Sequence, residues 1–141
     1  MFKKFFEKKN EESINNKHIL IAALLIHAAK IDDNYTSIEK EIIKKALIGL
    51  NAITPNETEE LLKKAEKIEQ ESNQIIAFTR EIKKNSMEFR LKIIEILWKI
   101  VYSDGSSDSY ESNLIRRVCG LLYISDKDSG IIKEKIRNSI K

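Results

Sequence analysis

Cysteine, proline, glycine and tryptophan are scarce: one Cys, one Pro, four Gly and one Trp in 141 residues. A single cysteine, Cys119, excludes an internal disulfide and fits a reducing compartment. So little Pro and Gly argues against a turn-rich β fold or a low-complexity linker. The two histidines, His18 and His27, stand nine residues apart on one predicted helix, so they face different sides and form no i, i+4 ligand pair. A zinc site built from His27 and Cys119 lacks further ligands. The longest apolar run, Ile19 to Ile26, falls far short of the ~20 residues a membrane span needs. Met1-Phe2-Lys3-Lys4-Phe5-Phe6-Glu7-Lys8-Lys9 has no apolar stretch fit for a secretory signal. A charge of one sign is missing too: 25 basic against 22 acidic residues leave +3, with Lys and Glu interspersed. That pattern lacks the basic stripe of a nucleic-acid binder. The expectation is a soluble, cytoplasmic protein with no nucleic-acid partner.

What is abundant is Ile, Leu, Lys and Glu, a helix-forming mixture. At this length roughly two-thirds of the unfolded chain's surface can be buried, enough for one core. Residues 1–11 read as a basic, aromatic leader whose phenylalanines dock on the domain, the alternative being weak peripheral contact with an anionic membrane. Residues 12–141 read as one helical domain.

Periodicity predicts seven helices, over about 12–30, 37–50, 54–69, 73–84, 87–102, 109–122 and 127–140. The first and fifth are apolar on nearly every side and should be central. In the second, Ile38, Ile42, Ile43, Ala46, Leu47 and Leu50 make an apolar stripe. The third opens on Thr54-Pro55-Asn56-Glu57, which has the residues of a capping box with Pro at the first helical position. Asn85-Ser86 breaks the pattern between the fourth and fifth.

The chain repeats itself. A constant offset of 72 residues carries Leu24–Asp32 onto Ile96–Asp104, Glu39 onto Glu111, and Ile42-Ile43-Lys44-Lys45 onto Leu114-Ile115-Arg116-Arg117. Each unit, about 19–50 and 91–122, is a buried helix, an acidic loop and an amphipathic helix. Neither unit can bury its central helix alone, so the two should pack about a pseudo-twofold axis.

Both loops place Asp and Glu seven apart: Asp32 with Glu39, and Asp104 with Glu111, with Asp108 between the latter two. Helix punctuation accounts for part of this. Thr36 with Glu39 and Asp108 with Glu111 have the spacing of capping boxes, and acidic first turns suit the helix dipole. Asp32 and Asp104 are less well explained, because a carboxylate at a helix C-terminus is electrostatically disfavoured. The functional reading is a hard-cation site, with carboxylates of Asp104, Asp108 and Glu111 and the oxygens of Ser106 and Ser107 suited to Ca²⁺ or Mg²⁺ rather than Zn²⁺. The spacing is not that of an EF-hand, since the Glu comes too early and Gly105 follows the first Asp directly.

A buried helix, Asp-Gly-x-x-Asp-x-x-Glu and an amphipathic helix, given twice, resembles the TerB-like family, named for tellurite resistance protein B. Trp98 to Glu111 carries the likeness, with Asp104, Gly105, Asp108 and Glu111 at the family's positions. The first copy keeps Asp32 and Glu39 but has Asp33 for the Gly and Thr36 for the second Asp. The resemblance spans about 19–127. It implies an all-helical fold, an acidic surface that binds metal ions, an interaction role with a protein partner, and a cytoplasmic stress-response or membrane-associated assembly. It does not imply catalysis.

The remaining chemistry is thin. No nucleophile–base pair or phosphate-cradling loop accompanies the carboxylates, so a metal-dependent hydrolase is the minority reading. Cys119 falls on an inward stripe, and Trp98 on a central helix, in the core or partly exposed at a seam. Lys44, Lys45, Arg116 and Arg117 are expected to pair with Glu39, Glu41 and Glu111 at helical spacing rather than to form a cationic patch. A metal-free interaction adaptor is the alternative to the cation-binding domain.

Overall fold

The computed structural model describes residues 16–30, 36–50, 54–71, 75–104 and 109–140, less the side chains of 16–17, 104, 109–111 and 140. Among the described residues seven α-helices follow one another without a strand: α1 Asn16–Ala29, α2 Ser37–Gly49, α3 Thr58–Glu71, α4 Ile75–Ile82, α5 Met87–Val101, α6 Ser109–Leu121 and α7 Asp126–Ile140. The leader at 1–11 lies outside the described residues. No helix among them is long and apolar enough to cross a membrane.

The all-round apolar helices are central, as their sequences require. In α1, Ile19 and every residue from Ile21 to Ile26 are fully buried. Such a helix must be enclosed on all sides, and α1 packs against α2, α3, α4 and α5. Helix α5 buries Ile93, Ile94, Ile96, Leu97, Trp98, Ile100 and Val101 against α1, α2, α6 and α7. Each fully buried Ile or Leu contributes about 1.5–3 kcal/mol over its exposed state. Helix α2 touches both central helices, and the outer helices present one stripe each, such as Leu61, Leu62 and Ala65 of α3.

The helix ends follow local chemistry. Thr36 caps α2 and Ser86 caps α5, the Ser86 hydroxyl accepting from the Phe89 N–H at 3.2 Å. The Asn85 side-chain amide donates to the carbonyls of Glu81 and Ile82 at the end of α4, so Asn85-Ser86 closes one helix and opens the next. The capping box expected at Thr54 does not form. Residues Pro55–Glu57 make a 3₁₀ turn, and the α-helix starts at Thr58. The Glu57 N–H is taken by the Thr54 carbonyl at 3.1 Å, so the Thr54 hydroxyl donates to the Glu57 carboxylate instead, at 2.7 Å.

Helix α6 ends with Tyr123 at φ 59°. The Ile124 N–H donates to the Cys119 carbonyl at 2.9 Å and the Tyr123 N–H to that of Gly120 at 3.4 Å, the double bond pattern of a Schellman ending. Glycine usually holds that left-handed position. The Arg90 guanidinium, from the start of α5, donates to the Leu122 carbonyl at 2.6 Å and to that of Asn85 at 3.1 Å, pinning both chain reversals.

Candidate functional site

Of the five candidate ligands, Glu39 is the one whose side chain is described. It sits in the first turn of α2 and is 8% exposed. Its Oε1 accepts from the Thr36 N–H at 2.9 Å and the Thr36 hydroxyl at 3.2 Å, while the Glu39 N–H donates to Thr36 Oγ1 at 3.1 Å. The capping box is therefore complete, and it commits one carboxylate oxygen to helix initiation. Asp32 and Asp108 lie outside the described residues, as do the side chains of Asp104 and Glu111. Among the described residues no group of three His, Cys, Asp or Glu side chains is placed to hold a metal ion.

The backbone frames the second loop. Helix α5 tightens into a 3₁₀ turn at Tyr102–Asp104, and the Ser103 hydroxyl donates to the Ile100 carbonyl at 2.7 Å. Helix α6 resumes at Ser109. Tyr102 stacks on Trp98, with ring centroids 5.9 Å apart, and the Trp98 indole N–H donates to Ser129 of α7 at 3.2 Å. Trp98 is 5% exposed, so of the two placements read from sequence the core one holds.

Beside it, a cavity of about 180 Å³ is lined by Trp98, Ile115, Arg116, Asp126, Ser129 and Lys133 among others. The Lys133 ammonium lies 5.2 Å from the Trp98 ring centroid. Cys119 is buried, and that burial pushes its thiol above its ordinary pKa against a hydrogen bond with Ser129. A thiol held protonated is a poor nucleophile.

A part-buried ion-pair network that the sequence reading missed closes the end of α1. Glu69 of α3 is 5% exposed. Its Oε2 lies 3.0 Å from Nδ1 of His27, and its Oε1 accepts from the Lys30 ammonium at 2.8 Å. An ionised carboxylate only accepts, so Nδ1 carries the proton in this contact. Burial disfavours the charged form of Glu69, and the bonds from Lys30 and His27 outweigh it, so the carboxyl titrates below its ordinary range. His27, which the 72-residue offset lays over Lys99, is thus partly exposed, at 18% of its side chain, and turned to a carboxylate. The pair has the form of a base with its orienting carboxylate. However, the imidazole meets the Phe78 ring edge-on at 6.4 Å, and no hydroxyl or thiol is bonded to it among the described residues. The signal was present: Glu69 continues the spacing of Leu61, Leu62 and Ala65, a carboxylate inside an apolar stripe.

The basic residues after the acidic loops separate. Lys44 pairs with Glu41 at 3.8 Å, as its spacing predicts, and more closely with Glu59 across in α3. The bond to Glu59 raises the Lys44 pKa and lowers that of Glu59. Lys45 makes no ion pair among the described residues, against the pairing expected of it.

A family model described as "Tellurite resistance protein TerB" matches residues 18–134. No curated protein and no solved structure gives a significant match.

Proposed function

The chain belongs to the TerB family, and from that premise we propose a non-enzymatic domain that binds a divalent cation through its acidic loops and docks a protein partner. We place it in a cytoplasmic stress-response or membrane-associated assembly, without a nucleic-acid partner. The cation reading is carried by the Asp-x₆-Glu spacing, which recurs at a fixed offset within a matched helical setting. The donor set fits a hard cation: Asp104, Asp108 and Glu111 bring carboxylates, and Ser106 and Ser107 bring neutral oxygens. With neither His nor Cys in either loop, Zn²⁺ is the poorer match.

The second loop is the stronger half of the proposal. In the first, Oε1 of Glu39 is engaged by Thr36, and Thr36 stands where the second loop has Asp108. Burial at equivalent positions supports treating the loops as copies: Ile43 and Ile115 are both buried, as are Leu47 and Cys119.

The Glu39 cap also favours a second reading, a metal-free interaction adaptor in which the acidic residues serve helix initiation. Calorimetric titration of Ca²⁺, Mg²⁺ and Zn²⁺ into the full chain separates the two. The cation reading expects saturable heat with Ca²⁺ or Mg²⁺ that Asp108→Asn and Glu111→Gln abolish and Glu39→Gln only weakens. Heat unchanged in all three variants, or none at all, leaves the adaptor. A hydrolase would need a nucleophile or base beside the carboxylates. Buried Cys119 and the His27–Glu69 pair, packed against Phe78, do not offer one.

A further inference from the structure

Along α2, the apolar residues Ile38, Ile42, Ala46 and Leu50 recur every fourth residue. Ile38 is 63% exposed, and the other three are only partly buried at the edge of the core. Two hollows follow this line. One, of about 350 Å³, lies between α2 and α5 over Ile42, Ala46, Gly49, Leu50 and Ile96. The other runs along the first half of α2 beside Ile38, and both share Ile42 and Lys45. The two hollows adjoin at Ile42 and Lys45 and so make one open groove-like strip along the 13 residues of α2, about 20 Å by the helical rise.

The rim of the groove is cationic. Lys40, Lys44, Lys45, Lys92 and Lys99 border it with two carboxylates: Glu41, engaged by Lys44 at 3.8 Å, and Glu95, engaged by Lys99 at 3.5 Å and Lys135 at 3.6 Å. Lys45 and Lys92 make no ion pair among the described residues.

We propose that this groove is the docking site for an acidic amphipathic helix of a protein partner. Charge complementarity selects the occupant: an apolar floor bordered by more lysines than carboxylates fits a helix with Leu- or Ile-type residues along one face and Glu or Asp flanking them. The chain's own leader, with Lys3, Lys4, Lys8 and Lys9, carries the wrong sign. The groove's length matches three to four helical turns, and its open outer side suits a helix laid between two others.

This deepens the interaction half of the function proposed above and does not depend on the cation half. Gly49 supplies a position for a block, because it borders the hollow and a Cβ built there meets no atom within 4 Å. Gly49→Leu should therefore fill the groove from its edge.

The test uses a fluorescein-labelled helical peptide of about 14 residues with leucines on one face and glutamates elsewhere, and a second with lysines for glutamates. Anisotropy is read on the full chain with and without EDTA, and backbone shifts map the contact. The expected result is saturable binding of the acidic peptide that shifts Ile42, Ala46, Leu50 and Ile96. Binding should weaken at least about tenfold for the lysine peptide, for Gly49→Leu, and for the surface variant Lys45→Glu with Lys92→Glu. EDTA should leave it unchanged, so failure of cation binding and failure of docking are told apart. Equal binding of both peptides, binding indifferent to Gly49→Leu and the charge reversal, or shifts that map elsewhere overturns the proposal. So does binding of anionic phosphatidylglycerol vesicles through these residues in place of the peptide.

Discussion

The Glu69 carboxylate of α3 reaches both Nδ1 of His27, at 3.0 Å, and the Lys30 ammonium, at 2.8 Å, at the last turn of α1. Two cationic or polar groups at a helix C-terminus are thereby neutralised by one buried carboxylate, directly before the first acidic loop. The contact fixes where α1 ends relative to α3.

Removing that carboxylate leaves two donors without their acceptor. Glu69→Ala should cost about 1–3 kcal/mol of stability at neutral pH, and Glu69→Gln less, since the amide oxygen still accepts. Because the folded carboxyl titrates below its ordinary 4.5, its contribution is present above that pH and is lost as the pH falls through the folded value. Urea midpoints measured from neutral pH to about pH 3 should fall more steeply for the wild type than for Glu69→Gln. Parallel curves would contradict the assignment.

Tyr123 holds a left-handed backbone that glycine adopts freely; the residue is 69% exposed, and the Lys83 ammonium lies 5.5 Å from its ring centroid. Tyr123→Gly should therefore stabilise the protein by about 0.5–1 kcal/mol, the relieved strain exceeding the lost cation–π contact and the added freedom of the unfolded chain. Tyr123→Val, β-branched at the same φ, should destabilise it. Thermal midpoints decide both.

Cys119 is sealed in the core with its thiol held protonated. Its reaction with a disulfide reagent at mildly alkaline pH should follow global unfolding, slower by about a hundredfold or more than in urea-unfolded chain. Rapid modification of the folded protein would show the α6–α7 packing to be looser than described.

Much of this was legible in the sequence because it depends on local pattern. The apolar faces of α1 and α5 needed no tertiary knowledge, nor did the Thr36–Glu39 cap, which is built from neighbours. What escaped depends on a competitor or a distant partner. At Thr54 the residues of a capping box were present, but the backbone carbonyl won the Glu57 N–H and made a 3₁₀ turn. Lys44 satisfied the helical spacing rule with Glu41, yet its closer partner, Glu59, comes from α3. Glu69 was hidden because its partners precede it by 39 and 42 residues. Of the candidate site, the sequence supplied all five carboxylates, and Glu39 could be followed to a described side chain.

The central claim is a cation held by the second acidic loop, and amide shifts of isotope-labelled protein under titration with Ca²⁺ and Mg²⁺ test it most directly. The account predicts saturable shifts confined to Asp104–Glu111 and the flanking turns, weaker ones at Asp32–Glu39, and their loss in Asp104→Asn with Asp108→Asn. Amides from Asp104 to Glu111 that stay still at millimolar metal would contradict it.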